Sequence, residues 1–341
     1  SININVWMDW IASDDPRTMY QIPSSGQVVN TFPTKTFRLP VDKQAVLKSG
    51  VVALKDQAKI VPYIDVTIKD EVIYKNRLLM LDIIANNNWQ RPIYFSGGSF
   101  GDDDYLWMKD YLQMDGVVYK LVPIKTPVDK DNPFDMGRVD ADKSYEIVKN
   151  WDWGNSGDPA VYHDIETRRN GLTYRSNLAR IAEALLKENK LDKAREILDL
   201  AMEKMPVDTF AFYSLLEPYM QMYYSVNQPE KARDIYAQLA VVYQEKLLYF
   251  SSFKTNEQID MRREIYTDME RYRAVVTVLL AEDTKEYALA EAIKFNEYIK
   301  LFPYLYNPDE GIELEDQSAS GSDTEIPAEA SLQELLQSQA N

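Results

Sequence analysis

A chain of 341 residues with 45% hydrophobic and 12% aromatic content has the length of two domains and enough apolar surface for packed cores. Its formal charge of −16 disfavours nucleic acid and anionic lipid, which both need a basic footprint. The lack of cysteine excludes disulfides, thiolate zinc sites and cysteine nucleophiles, and a histidine site or Ser-His-Asp triad would need the single His163.

The longest apolar runs, Leu78 to Ile84 and Ala274 to Ala281, fall short of the roughly 20 residues a membrane helix needs. Ser1-Ile2-Asn3-Ile4-Asn5 lacks the basic region and apolar core of a signal peptide, so the segment reads as cut from a longer chain. Residues 1–125 alternate strand and helix signals. Gln27 to Phe32 and Thr36 to Leu39 are β-prone runs between turn residues, and they are expected to pair as a hairpin. Asp42 is a candidate N-cap for a short helix within Val41 to Leu54. Ile60 to Ile68 alternates as a strand, Lys69 to Asn86 reads as a buried helix, and Pro92 to Ser96 as the next strand. A strand, a crossover helix and a strand predict a right-handed parallel pair. A helix over Asp104 to Met114 and a strand over Val117 to Ile124 would complete a β-α-β-α-β unit, an α/β domain.

Residues 126–165 are rich in turn signals and read as an irregular arm or linker, pinned by Trp151 and Trp153. From 166 to 306 the pattern is helical and repeats. Leu178, Ile181, Ala182 and Leu185, then Ala194, Leu198, Ala201 and Pro206, fit the two helices of a tetratricopeptide-like hairpin. Leu216, Met220 and Tyr223, then Ala232 and Tyr236, mark a second unit, and Lys193-Ala194-Arg195 recurs as Lys231-Ala232-Arg233 at a spacing of 38. That exceeds the usual spacing of about 34 by one helical turn, which is expected between Pro206 and Phe212. A third pair, about Glu257 to Ala281 and Lys285 to Phe302, keeps the rhythm without the consensus, as an end repeat does. Residues 307–341 carry nine acidic residues and no Lys or Arg, leaving about −7 on the rest, and read as a disordered tail with a short helix at Leu332 to Leu336.

The segment Ala85-Asn86-Asn87-Asn88-Trp89-Gln90-Arg91-Pro92-Ile93-Tyr94-Phe95 resembles the soluble C-terminal region of large Bacteroidetes-type membrane proteins described as protein O-mannosyltransferase-like. Ser13-Asp14-Asp15-Pro16, Pro33-Thr34-Lys35, Pro40-Val41-Asp42-Lys43, Tyr74-Lys75-Asn76 and Tyr119-Lys120-Leu121-Val122-Pro123 carry the likeness in order. Trp153-Gly154-Asn155 and Asp158-Pro159-Ala160-Val161-Tyr162 extend it toward residue 200. The resemblance implies a periplasmic or other extracytoplasmic region of a membrane glycosyltransferase-like protein, whose membrane-embedded part lies upstream in the same chain.

The candidate sites follow from residue chemistry. Ser96-Gly97-Gly98-Ser99-Phe100-Gly101 lies where an α/β loop cradles phosphate, but Asp102, Asp103 and Asp104 would repel one. Those aspartates read first as a solvated helix start that favours the helix dipole, with a Ca²⁺ or sugar-hydroxyl site as the alternative. Trp89 and Arg91 make a stacking platform, or else a packed indole and an arginine paired with Asp82 or Asp115. Tyr213, Tyr223, Tyr224 and Tyr243 stand in an aromatic stripe that lines either a concave binding face or the inter-repeat core. His163 reads as a surface residue, and Asp14 with Asp15 as a turn. The expectation is a non-catalytic region with no cofactor and no metal, binding a protein or glycan acceptor or assembly partners. The competing expectation is a stand-alone carbohydrate-active or metal-dependent enzyme built on Asp102, Asp103 and Asp104.

Overall fold

A computed structural model describes residues 1–97, 101–128, 136–211, 213–306 and 311–312. The expected tail and its helix at Leu332 to Leu336 lie outside the described residues, apart from 311–312. The chain divides into two compact units, Ser1–Val148 and Lys149–Asn341.

The first unit is an α/β fold. Strand β1 (Ile2–Asn3) leads into helix α1 (Ile4–Ile11), β2 (Met19–Gln21) and β3 (Val28–Asn30) follow, and β4 (Thr36–Pro40) precedes α2 (Lys43–Lys48). Then come β5 (Tyr63–Thr67), α3 (Lys75–Asn87), β6 (Tyr94–Phe95), β7 (Leu112–Asp115), β8 (Val118–Leu121), β9 (Arg138–Val139) and α4 (Ala141–Lys149). Three sheets run in the orders β1-β4-β5, β2-β3 and β6-β8-β7-β9. The β4–β5 pair is antiparallel, with Phe37 opposite Val66 and Leu39 opposite Ile64. Those four side chains are buried, while Arg38 and Asp65 face outward and make a bidentate ion pair at 2.7 Å. The period of two thus puts the apolar residues on the core face. Trp7 of α1 seals that face: its ring lies 5.1 Å from Phe37, and its indole Nε1 donates to the Thr34 carbonyl at 2.8 Å.

The pairing differs from the expectation in three places. The run at Gln27 to Phe32 pairs backward, β3 with β2, through a turn in which Gly26 has φ 68° and Ile22 donates to Gln27 at 2.8 Å. That leaves β4 to β5, which offers a matching apolar face. Helix α3 does not cross over within one sheet: β5 lies antiparallel to β4, and β6 antiparallel to β8, in different sheets. The helix expected over Asp104 to Met114 is interrupted, because Leu106 and Trp107 both take left-handed backbone at φ 52° and 59°. One-turn helices at Asp103–Tyr105 and Lys109–Tyr111 flank that break, and Leu112–Asp115 forms β7, hydrogen-bonded to β8 through Gly116 at φ 72°. Helix α2 starts on the expected cap, with Asp42 accepting from the Gln44 and Ala45 amides.

The second unit is all helical: α5 (Ile165–Lys187), α6 (Leu191–Lys204), α7 (Val207–Phe210), α8 (Glu217–Ser225), α9 (Pro229–Ser251), α10 (Thr255–Asp260), α11 (Arg262–Glu282) and α12 (Lys285–Ile299). Helix α5 packs on α6, α8 on α9, and α11 on α12. The repeat is visible in the backbone. Asn189 and Asn227, 38 residues apart, both take φ 57° in the α5–α6 and α8–α9 turns. Lys190 donates to the Leu185 carbonyl at 2.9 Å, and Gln228 to Tyr223 at 2.8 Å, the same closure one repeat on. The four extra residues form α7, a turn of its own between Pro206 and Ala211.

Arg175 of α5 holds that inserted turn. It is 1% exposed, and its guanidinium donates to the carbonyls of Met205 at 2.8 Å and Ala211 at 2.7 Å, on either side of α7. Its own carbonyl accepts from the Tyr219 hydroxyl at 2.6 Å. Gly171, one turn earlier, admits the Phe210 ring so closely that a Cβ there would sit 2.7 Å from it. Trp151, Trp153 and Tyr174 form a cluster with ring centroids 5.4 to 5.9 Å apart, which lays the segment after α4 on α5.

Candidate functional site

Helix α3 ends as the asparagine run predicts. Asn88 takes left-handed backbone at φ 49°, and Asn87 accepts through its side chain from the Arg91 amide at 3.2 Å. Trp89 continues the turn at φ 60°, a conformation a bulky residue pays for with about 1–3 kcal/mol. Burial offsets this: the indole swings back onto β4, is 8% exposed, and donates from Nε1 to the Pro40 carbonyl at 2.8 Å. Trp89, Asn87, Arg91 and Ile93 line a shallow hollow together with Leu39, Val51, Ile84 and Leu121. The enclosed space takes about one water molecule, so the tip of an aliphatic side chain suits it and a sugar ring does not. Arg91 is exposed at the rim. Neither expected partner reaches it: the Asp82 carboxylate accepts from Asn86 at 3.0 Å, and Asp115 is committed elsewhere.

The aspartate run is engaged by cations. Asp102 pairs with Lys69 and has Lys109 Nζ at 3.8 Å, Arg77 of α3 pairs with Asp104, and its guanidinium lies 3.5 Å from Asp103. Three carboxylates thus meet three cations, and no group of three or more metal-ligating residues occurs among the described residues. Pairs this exposed contribute about 0–1 kcal/mol each. The part of the loop at 98–100 lies outside the described residues.

Of the tyrosines, Tyr223, Tyr224 and Tyr243 are buried and Tyr213 is half-buried. Their hydroxyls join neighbouring helices. Tyr223 donates to Asp199 at 2.9 Å, Tyr224 to Asp283, and Tyr243 to Glu217 at 3.3 Å, while Tyr236 of α9 donates to Glu291 of α12 at 2.9 Å. Burial pushes the Glu217 carboxyl up to about 7, against the Tyr243 hydrogen bond and the charge of Arg271. The His163 ring lies against Phe210 at 5.0 Å, with Nε2 3.2 Å from the Ser156 carbonyl. Asp15 caps the one-turn helix Pro16–Thr18, and its carboxylate takes an ion pair from Arg17.

A buried polar network in the first unit escaped the sequence reading. Asp56 accepts from Lys59 and Arg138 at 2.7 Å each, and Arg138 also donates to Gln113 at 3.0 Å. Gln113 donates to Asp115 at 2.7 Å, and Asp115 takes ion pairs from Lys120 at 3.2 Å and Lys143 at 3.0 Å. This chain ties β7, β8, β9 and α4 to the short 3₁₀ helix Leu54–Lys59. Burial pushes the Asp115 carboxyl up, but Lys120, Gln113 and Lys143 outweigh it and hold the group below the usual carboxylate range. Burial lowers Lys120 to about 8 although Asp115 opposes the shift. An amine so tuned suits base or carbonyl chemistry in an open cleft. Lys120 is 1% exposed, so here its contacts brace the sheet. The one sequence signal was a lysine inside the apolar run from Val117 to Val122.

The fold and the sites together define an α/β unit whose charges close on one another, followed by helical hairpins. Residues 1–143 match the family model of TMEM260-associated domain 2, which covers the first unit as far as α4. Comparison with curated proteins and with solved structures gives no match. No described helix is long and apolar enough to cross a membrane.

Proposed function

We propose that this chain is a non-catalytic extracytoplasmic region of a TMEM260-like membrane protein, and that it holds an acceptor protein or assembly partners for the membrane-embedded part. The match of residues 1–143 to TMEM260-associated domain 2 carries this reading. Two features of the first unit support it. Its interior carboxylates and cations engage each other, and α3 turns Leu79 and Ile83, 63% and 54% exposed, outward one turn apart. Exposed aliphatic side chains at helical spacing mark docking faces more often than reactive centres. The helical unit, in this reading a tetratricopeptide-like array, supplies a second surface. The carboxylates that an enzyme built on Asp102, Asp103 and Asp104 would need are engaged by Lys69, Arg77 and Lys109. The test is to mix chain 1–341 with a TMEM260-like membrane protein that lacks this region, in detergent, and to follow both by size-exclusion chromatography. Co-elution is expected. Separate elution at micromolar concentrations of both would overturn the reading.

A further inference from the structure

The outer flank of α3 and the hollow at its end lie on one helical track. By the 3.6-residue period, Asn76, Met80, Ile83 and Asn87 stack along a single stripe with Leu79 beside it, at alternating steps of four and three. A straight partner helix packs on such a stripe at a shallow crossing angle. The stripe spans about 16 Å at 1.5 Å per residue, three turns of a partner. Asn87 at its far end is also a wall of the hollow, where Ile84, Ile93 and Leu39 meet and Arg91 stands at the rim. Charge then selects the occupant. Arg91 is exposed and has no ion pair among the described residues, whereas the other arginine near this helix, Arg77, is held by Asp103 and Asp104. A guanidinium at the lip of an apolar hollow suits a carboxylate that follows an aliphatic side chain.

We propose that the α3 stripe and its terminal hollow receive an amphipathic helix of a partner protein. This helix carries aliphatic side chains at three- and four-residue spacing, and a carboxylate at the end that meets Arg91. The assignment rests on the docking reading above and names its partner class. Ile83 and Met80 supply contact area, the hollow takes one aliphatic tip, and Arg91 sets the direction in which the helix lies.

The probe is a fluorescein-labelled synthetic helix of about four turns, leucine-striped and ending in two glutamates, titrated with chain 1–341 by anisotropy. Two control peptides share its composition elsewhere: one ends in two lysines, and one has its leucines scrambled. The glutamate-ended peptide is expected to bind at least about tenfold more tightly than either control. Ile83→Asp is expected to weaken it about tenfold, and Arg91→Ala about fivefold while removing most of its salt dependence. Both positions are exposed, and unchanged circular dichroism melting confirms that the variants fold. No binding by the wild-type chain, equal binding of the scrambled peptide, or indifference to both substitutions would overturn the proposal. So would a wild-type dimer in sedimentation velocity that Ile83→Asp dissolves, because the occupant would then be a second copy. If the variants still co-elute with the membrane protein, this surface is wrong and the docking reading stands. If the wild-type chain binds the peptide but does not co-elute, that reading falls alone.

Discussion

Replacing Glu217 with Gln should change how the stability of the helical unit depends on pH. Burial raises this carboxyl from 4.5 to about 7 in the folded chain. A carboxyl with a raised folded pKa favours folding only when protonated: below 4.5 both states hold the proton, and between 4.5 and 7 the folded state keeps a proton that the unfolded state has lost. Wild-type stability therefore falls as pH rises through this window, and the penalty is fully present above 7. A shift of that size is worth about 3 kcal/mol at 1.36 kcal/mol per unit, and partial exposure of Glu217 reduces it to about 1–3 kcal/mol. Glutamine is neutral throughout, and its carbonyl can still accept from Tyr243. The variant should thus match wild type near pH 4.5 and exceed it at pH 8, by about 2–10 °C in Tm for a unit of this size. Circular dichroism melts of both proteins at pH 4.5, 6 and 8 measure this, and groups common to both cancel in the difference. A Glu217→Gln minus wild-type difference that is constant across the series would refute the argument.

Asp115→Asn takes the anion from between Lys120 and Lys143 and is expected to cost about 3–5 kcal/mol in urea unfolding at pH 7. Asp115→Leu combined with Lys120→Met should recover most of that loss, because the two fully buried charges leave together and Lys143, whose side chain is 37% exposed, keeps access to water. Ala211 sits at φ 53° and ψ −138°, a region that penalises any Cβ, so Ala211→Gly should raise the melting temperature, by an equivalent of about 1 kcal/mol. Leu81→Ala, at the buried centre of α3, should cost about 2–5 kcal/mol by the same urea titration.

Local features were legible before any coordinates. The asparagines that end α3, the cap at Asp42, the 38-residue recurrence and the extra turn after Pro206 are written in neighbouring residues, and they fold as read. Strand pairing was not, because it is settled by partners far apart in the chain. Thr36 to Pro40 was equally suited to the run before it, and only the matching apolar face of β5 decides the contest. The Asp115-Gly116 dipeptide was an overlooked hairpin signal, and reading it would have placed a strand at Leu112 in place of a helix end. The role of Lys120 was hidden for the same reason as the sheet. Lys120 meets its neutralising Asp115 only once β7 pairs with β8, and Lys143, 28 residues after Asp115, then folds back over the same carboxylate as a second cation. The tyrosine stripe was seen, but period alone does not separate a groove from a seam, and the hydroxyl contacts with Asp199, Glu217 and Asp283 place Tyr223, Tyr224 and Tyr243 in seams.

Those hydroxyl contacts bear on how the helical unit responds to load. Grease between helices lets them slide, whereas directional bonds from Tyr223 to Asp199, Tyr224 to Asp283 and Tyr236 to Glu291 fix both the depth and the angle at which one hairpin seats on the next, and the Tyr243 bond to Glu217 locks α9 to α8 within a hairpin. Hairpins braced in this way behave as a stiff strut more than as a spring. Whatever attaches at one end would have its position reported at the other with little lost to bending.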